Sequence, residues 1–419
     1  MKKLTFVLLL SGCMIQANAT HQMLNRGHNK TVAQPCSNPQ QPVSLQCAPA
    51  PSSQFDDTGV LWIVWSSGGH VYVSSSDDQG KTLNQSVVVN RIPEAVSARG
   101  ENRPKIVLDK KGKIYVSWTT PLEKRYTGNV RFSYSEDGGQ HFSDPVTVND
   151  NRDITGHRFE ALGVNEQGTI FMAWLDKRER LKANQKGEKY QGAALYYTYS
   201  VDGGKSFVTN MNIMPHTCEC CRVAMDIDFD QMPVIMWRNI YDTNTRDHAL
   251  VKFIDRDNPG KVIRASYDNW QIDACPHHGP AISIARVNGL QYSDYHLVWF
   301  NNALDRHGIF YSRFIDPNIP YKPIVPKTVT IGNYNNGASH ADIFAQGKNV
   351  WISWKEFDGK EDILKVKMSA DRGNTWGADR TLATTSLSSD YPFIVHFNHH
   401  IYIQWQTQEH GYHLYAVNQ

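Results

Sequence analysis

The sequence predicts an all-β fold built from repeated four-stranded sheets, and three observations support this. Short apolar strands ending in tryptophan recur seven times, and a turn of the form Ser-x-Asp-x-Gly recurs four times. Aromatic residues make up 11% of the 419-residue chain. Such a repeat, with four short strands per unit, is typical of a β-propeller blade. We therefore expect one seven-bladed β-propeller.

The N-terminus has the pattern of a bacterial export signal. In Met1–Ala19, Lys2 and Lys3 precede an apolar run and then small residues. Two cleavage sites compete: Leu10–Cys13 resembles a lipobox, which would lipidate its cysteine, and Ala17–Ala19 fits an ordinary signal-peptidase site. Either site places the folded part in the periplasm or on the cell surface as an outer-membrane lipoprotein.

The remaining chain divides into a tether, residues 20–47, and the propeller, residues 48–419. The tether is rich in Pro, Asn and Gln and ends in a candidate ring-closing strand at Pro42–Gln46. The formal charge of +2 gives no reason to expect nucleic-acid binding. No later apolar run reaches the roughly 18 residues of a spanning helix. We expect a monomer, with Cys13 as the candidate lipid anchor.

The tryptophan strands set the blade spacing. Successive tryptophans are 53, 56, 63, 62, 55 and 51 residues apart. The seven copies are Leu61–Trp65, Ile114–Trp118, Ile170–Trp174, Val234–Trp237, His296–Trp299, Val350–Trp354 and Ile401–Trp405. The charged insertion Asp176–Gln191 in the third unit is predicted to be a solvated loop, with a lid over the binding face as the alternative.

The repeated turn follows a strand in four units. Its Ser and Asp side chains can bond nearby backbone N–H groups, and its Gly accepts a positive φ. The four copies are Ser76–Leu83, Ser135–Phe142, Ser200–Phe207 and Ser369–Trp376. This turn is the Asp-box, or BNR repeat, and the chain resembles the sialidase superfamily of β-propellers. The resemblance implies a structural role for these aspartates. Sialidase catalytic domains have six blades, so a six-bladed ring is the alternative.

A second position recurs 14 to 16 residues before each tryptophan, where each inner strand begins. In blade 5 about six further residues intervene. The side chains at this position are Pro51, Arg103, Arg158, Arg222, His278, His340 and Tyr391. Because inner strands line the central channel of a propeller, six ionisable side chains at one position indicate a ligand site at the channel mouth.

The resemblance implies that an acidic sugar or another small anion binds there without a cofactor. Sialidases bind the substrate carboxylate with three arginines, since a guanidinium matches a carboxylate bidentately. Arg103, Arg158 and Arg222 are the candidates here, with His157 and His340 as further binding residues.

Catalysis by a sialidase-like glycoside hydrolase would use a tyrosine nucleophile. Tyr391 is the candidate, with Glu101 or Glu160 to accept its proton. Asp342 or Asp390 is the candidate general acid if burial raises its pKa. The Arg-Ile-Pro signature of the family is absent from the inner strand of blade 1.

A metal- or redox-active protein is the alternative from another functional class. Two motifs, Cys-x-Cys-Cys-Arg and Cys-Pro-His-His-Gly, begin adjacent blades. Thiolate and imidazole ligands suit copper or zinc. The candidate ligands are Cys218, Cys220, Cys221, Cys275, His277 and His278.

Disulfides provide a structural explanation for the same cysteines. Without Cys13, six of the seven cysteines remain, an even number for an oxidising compartment. Cys36 and Cys47 are predicted to pair, and the four others to form two disulfides of open connectivity. A non-catalytic scaffold is a third functional alternative.

Overall fold

The computed structural model describes residues 45, 48–242, 244–286, 292–315 and 328–417. In these ranges the strands form seven antiparallel sheets. The first strand of each sheet packs against the first strand of the next sheet, and that of the seventh packs against that of the first. This ring confirms the seven-bladed β-propeller, and the six-bladed alternative is wrong.

Blades 1 to 3 each contain four strands, ordered from the channel outward. Blade 1 comprises β1 (Ser52–Phe55), β2 (Leu61–Ser67), β3 (His70–Ser76) and β4 (Val87–Val88). Blade 2 comprises β5 (Lys105–Leu108), β6 (Ile114–Pro121), β7 (Gly128–Ser135) and β8 (Val146–Thr147). Blade 3 comprises β9 (His157–Val164), β10 (Ile170–Asp176), β11 (Ala193–Ser200) and β12 (Met211–Thr217), with helix α1 (Arg178–Gln185) between β10 and β11.

Blades 4 to 7 continue the same order with small variations. Blade 4 comprises β13 (Ala224–Ile227), β14 (Pro233–Arg238), β15 (His248–Asp255), β16 (Asn258–Pro259) and β17 (Ile263–Arg264). Blade 5 comprises β18 (Ala281–Arg286), β19 (Ser293–Ala303), β20 (Arg306–Ile315) and β21 (Val329–Ile331). Blade 6 comprises β22 (Ser339–Gln346), β23 (Asn349–Phe357), β24 (Asp362–Ser369) and β25 (Arg380–Thr385). Blade 7 comprises β26 (Phe393–Phe397), β27 (His400–Thr407) and β28 (Gly411–Ala416).

The seven repeated tryptophans lie on the second strand of each blade, as predicted. All seven are among the largest fully buried side chains: Trp65, Trp118, Trp174, Trp237, Trp299, Trp354 and Trp405. They contribute to hydrophobic clusters that are shared between neighbouring blades. The tryptophan period therefore marks the core of the ring.

The four Asp-box turns share one hydrogen-bond pattern. In blade 3, the Ser200 hydroxyl donates to Asp202 Oδ1 (2.7 Å) and accepts from the Gly204 amide (2.9 Å). The Asp202 carboxylate also accepts from the amide and the hydroxyl of Ser206 (3.0 and 2.6 Å). Although burial opposes it, these hydrogen bonds lower the pKa of Asp202 to about 2. The aspartate is thus held ionised inside its own turn.

The glycine four residues after the serine of each turn also contacts the preceding blade. Gly204 has a φ of +89°, and a Cβ added to it would lie 2.2 Å from the Phe132 ring of blade 2. The equivalent pairs are Gly80 with Tyr412, Gly139 with Trp62 and Gly373 with Tyr311. A side chain is excluded at these glycines, and each turn fastens one blade to its neighbour. Within the described ranges, blade 4 alone lacks such a turn on both of its sides.

The charged insertion differs from the solvated loop that the sequence predicts, because part of it is helix α1. Its Arg, Glu, Leu, Lys and Ala residues favour a helix. Arg178 is buried and forms ion pairs with Asp176 and Asp150, and Glu179 accepts a hydrogen bond from Tyr196 Oη (2.7 Å). These contacts hold the helix against blade 3.

Several N-terminal predictions fall outside the described residues. They are the export signal, the lipobox at Cys13, the Cys36–Cys47 pair and, apart from Leu45, the ring-closing strand Pro42–Gln46. Leu45 packs into the cluster between blades 7 and 1. Among the described residues, no helix has the length and apolar character to cross a membrane.

Candidate functional site

The side chains predicted at the inner-strand starts meet at one mouth of the channel. Contacts join Arg103 of blade 2 to Asp390 of blade 7, and His278 of blade 5 to His340 of blade 6. The structure therefore brings together groups from distant parts of the chain. The hydrogen-bond and ion-pair partners of each side chain determine whether it is available to a ligand.

Arg103 is engaged in a buried bidentate ion pair. Its Nη1 and Nη2 atoms lie 2.6 and 2.7 Å from the two carboxylate oxygens of Asp390, and both side chains are almost fully buried. Its Nε donates to the Gly100 carbonyl, and Nη1 also donates to the Pro51 carbonyl. Burial raises the pKa of Asp390, and the Arg103 guanidinium opposes that shift. This arginine links blades 1, 2 and 7.

Arg222 is buried and bonded mainly to backbone. Its Nε and Nη2 donate to the carbonyls of Pro280 and Ala341, both at 2.7 Å. Its own amide donates to Glu101 (3.0 Å), which also accepts from the Gly279 amide at 2.7 Å. Arg222 and Glu101 thus tie blades 2, 4, 5 and 6 together around the axis.

A stack of four rings crosses the mouth. The centroids of Phe300 and His278 are 4.1 Å apart, those of His278 and His340 are 4.2 Å apart, and those of His340 and Tyr391 are 3.4 Å apart. Burial lowers the pKa of both histidines well below the usual value, and it raises the pKa of Tyr391. At neutral pH the stack consists of neutral imidazoles beside a protonated phenol.

Arg158 differs from the two other predicted arginines. It is half-buried at the start of β9, with its guanidinium carbon 5.0 Å from the Phe159 ring centroid. Among the described residues, its guanidinium has no hydrogen-bond acceptor. The planar fork of Arg158 is therefore free to bind a ligand, whereas that of Arg103 is occupied and that of Arg222 has only its Nη1 atom without a partner in the described ranges.

The remaining predicted residues lie around this centre. Glu160 is fully buried and accepts from Thr119 Oγ1 (2.8 Å), with Lys105 Nζ at 3.4 Å. His157 is fully buried, and neither ring nitrogen has a partner within the described ranges. Burial raises the pKa of Asp342, which accepts from the Ile394 amide. The roles predicted for these three residues stay predictions.

The predicted cysteine cluster is assembled at the start of blade 4, within the hydrophobic cluster that blades 3 and 4 share. Cys218 Sγ lies 3.7 Å from both Cys220 Sγ and Cys221 Sγ, and all four cysteines of the cluster are free thiols in this structure. Cys275 packs against the same hydrophobic cluster. The two predicted histidines are placed differently, because His277 is exposed and His278 belongs to the ring stack.

Sequence reasoning missed three residues that shape the site. Phe300 ends the ring stack, and Phe393 lies beneath the guanidinium groups of Arg103 and Arg222, 4.5 and 5.2 Å from its ring centroid. Gly279 brings the two cysteine-bearing segments into contact, since an added Cβ would lie 2.3 Å from Arg222 Cγ. The glycine is visible in the Cys-Pro-His-His-Gly motif, whereas nothing in the sequence singles out the two phenylalanines.

No protein-family model and no curated protein matches this chain. Solved structures with a similar fold include a polysaccharide lyase of family 25, an ulvan lyase. It is 12% identical, the alignment covers 90% of this chain and 93% of that chain, and the TM-score is 0.52. Another is the polysaccharide lyase Uly1, 10% identical, with 88% of each chain covered and a TM-score of 0.52. An intramolecular trans-sialidase from Ruminococcus gnavus is 10% identical, with 88% of this chain and 94% of that chain covered and a TM-score of 0.47. At these identities the similarity to the two lyases concerns the fold alone.

Proposed function

We propose that this protein binds an acidic glycan at the channel mouth, with Arg158 holding a carboxylate or sulfate of the sugar. The observation that carries the proposal is the free guanidinium of Arg158, in contrast to Arg103, which is paired with Asp390, and to Arg222, which donates to two backbone carbonyls. A guanidinium fork binds a planar anionic group through two charge-assisted hydrogen bonds. The protonated phenol of Tyr391 supplies a neutral donor to a sugar hydroxyl.

The comparison supports an acidic sugar as the ligand class. The ulvan lyase that shares this fold was solved bound to -[GlcA(1-4)Rha3S]-, an acidic repeat. A propeller of this shape can therefore serve as a scaffold for acidic-glycan recognition, while fold alone does not fix function. Export to the bacterial envelope, predicted from Met1–Ala19, is part of the same proposal and would expose the site to extracellular glycans.

We place binding ahead of hydrolysis because of the surroundings of Tyr391. A tyrosine nucleophile needs a base that takes its proton. Glu101 is close enough to raise the pKa of Tyr391 after burial has done so, but both Glu101 oxygens already accept backbone N–H groups. Glu160 is held by Thr119 and Lys105 instead.

Titration calorimetry with sialyllactose and with oligosaccharides containing glucuronate tests the proposal. A charge-assisted hydrogen bond contributes about 1.5–3 kcal/mol, so Arg158→Ala should weaken binding at least about tenfold. Arg158→Lys should recover part of the affinity. Arg256→Ala is the matched control, because Arg256 is exposed beyond the end of β15, away from the mouth.

Two results would overturn the proposal: no binding of any acidic sugar by the wild type, or equal affinities for Arg158→Ala and the control. Release of a fluorophore from an α-sialoside measures turnover separately. Turnover that Tyr391→Phe abolishes would add hydrolysis to the proposed function. Glycan binding without turnover at high protein concentration would limit it to recognition.

A further inference from the structure

The cysteine cluster at the start of blade 4 is the feature that the proposed glycan site does not use. Cys218, Cys220 and Cys221 precede β13, and Cys275 precedes β18. The three sulfur atoms before β13 lie within 4.8 Å of one another, and Cys275 packs against the hydrophobic cluster that contains them. The first three side chains are at most 4% exposed, and that of Cys275 is half-buried.

The sulfur spacing matches the edge of a metal-centred tetrahedron. Two Cys218 distances are 3.7 Å, whereas a disulfide bond is about 2.05 Å long. Zinc–thiolate bonds are about 2.3 Å long, and a regular tetrahedron with such bonds has sulfur atoms about 3.8 Å apart. The Cys218 thiol therefore stands from the Cys220 and Cys221 thiols at the separation that a shared cation requires, and beyond the separation of a disulfide.

The protein holds this arrangement through contacts that do not involve the sulfurs. The Glu101 carboxylate accepts from the amides of Arg222 and Gly279, one from each cysteine-bearing segment. The close approach of Gly279 to Arg222 leaves no room for a side chain between the segments. The two halves of the cluster are thus brought together by hydrogen bonds and packing.

Positive groups surround the cluster, which suits a site of several thiolates. Arg238 and Arg246 both act on Cys218 electrostatically, and Arg238 is fully buried at the end of β14. Its guanidinium donates to the carbonyls of Arg246, His278 and Phe300 and has no carboxylate partner among the described residues. A dication with four thiolates carries two negative charges, which these arginines offset.

We propose that Cys218, Cys220, Cys221 and Cys275 bind one thiophilic d¹⁰ cation, Zn(II) or Cu(I). A closed set of four protein thiolates leaves no open coordination position, which is typical of structural sites. The site would fasten blade 4 to blade 5. Within the described ranges, blade 4 is the blade that has no Asp-box contact on either side. A bound metal here would provide a cross-link that the turns do not provide.

Metal analysis of the full-length protein, exported and purified without chelator, tests this proposal. We expect about one zinc or copper per chain, and the metal identity separates the two cations. Cys220→Ser and Cys275→Ser should each lower the metal content to background. Val223→Ala is the control, because Val223 is buried next to the cluster and offers no ligand.

Cobalt substitution gives a second readout that does not depend on how well the variants fold. Co(II) added to the reduced, metal-free wild type should produce thiolate-to-cobalt charge-transfer bands, which added Zn(II) bleaches at one equivalent. The proposal is overturned if mass spectrometry shows these four cysteines joined as two disulfides. It is equally overturned if the reduced thiols give no cobalt spectrum and take up neither Zn(II) nor Cu(I).

Discussion

Removing the Asp390 carboxylate should strongly destabilise the propeller. Asp390→Ala leaves the buried Arg103 guanidinium without the partner that lies 2.6 and 2.7 Å away, and breaking such a buried pair costs about 3–5 kcal/mol. Replacing both residues, as Arg103→Met with Asp390→Ala, removes both charges. The Gly100 carbonyl then loses its donor, at about 1 kcal/mol, whereas the Pro51 carbonyl still accepts from Gln404 Nε2. The free energy of unfolding of the double variant should therefore fall by only about 1–3 kcal/mol.

Urea unfolding followed by tryptophan fluorescence measures this double-mutant cycle. The two single changes would sum to about 6–10 kcal/mol, so the coupling energy between Arg103 and Asp390 should be at least about 3 kcal/mol. The exposed pair Lys110–Asp57 is the matched control, and its coupling should stay below about 1 kcal/mol. The reasoning is refuted if Asp390→Ala unfolds within 1 kcal/mol of the wild type, or if the two couplings are equal.

Three further outcomes are expected. Gly204→Ala should cost at least about 2 kcal/mol more than Gly203→Ala, because both glycines have positive φ but only the first new Cβ meets the Phe132 ring; equal unfolding midpoints would contradict this. Burial lowers the pKa of His157 from 6.5 to about 4, so the unfolded chain alone takes up a proton in that window and stability falls as the pH drops through it. His157→Phe should reduce the slope of the unfolding free energy against pH by up to about 1.4 kcal/mol per pH unit in urea titrations. An unchanged slope would contradict the lowered pKa of His157. Glu101→Ala should lower the free energy of unfolding by about 2–5 kcal/mol, because two buried backbone amides lose their acceptor, and Glu101→Gln should lower it less. A smaller loss for Glu101→Ala than for Glu101→Gln would contradict the role of the carboxylate as their acceptor.

The fold could be predicted from the sequence because its signals are local. Trp174 and its six equivalents repeat at blade spacing, and the hydrogen bonds of Asp202 lie within seven residues of chain. The inner-strand position was equally visible, since Arg158 and His340 occur at a fixed distance before their tryptophans. Periodic local patterns of this kind can be recognised in the sequence without knowledge of the tertiary structure.

The availability of each site residue could not be predicted, because it depends on contacts across the ring. Arg103 and Arg158 are equivalent in the sequence, yet one is neutralised by a residue 287 positions away and the other is free. Helix α1 was missed because a charged run of that length fits a helix or a loop equally well. The sulfur spacing at Cys218 likewise follows from how two separate segments pack around Glu101.

The positions of the Asp-box glycines determine which interfaces between blades have this additional contact. At four of the seven interfaces between blades, a glycine packs directly on an aromatic side chain of the neighbouring blade, so the interfaces are not equally strengthened. Blade 4 lies between two interfaces that have no such glycine, and its contact with blade 3 depends instead on a buried hydrophobic cluster that includes Cys218, Cys220 and Cys221. A cation bound by these cysteines would add a covalent cross-link to the blade that the Asp-box turns leave unconnected.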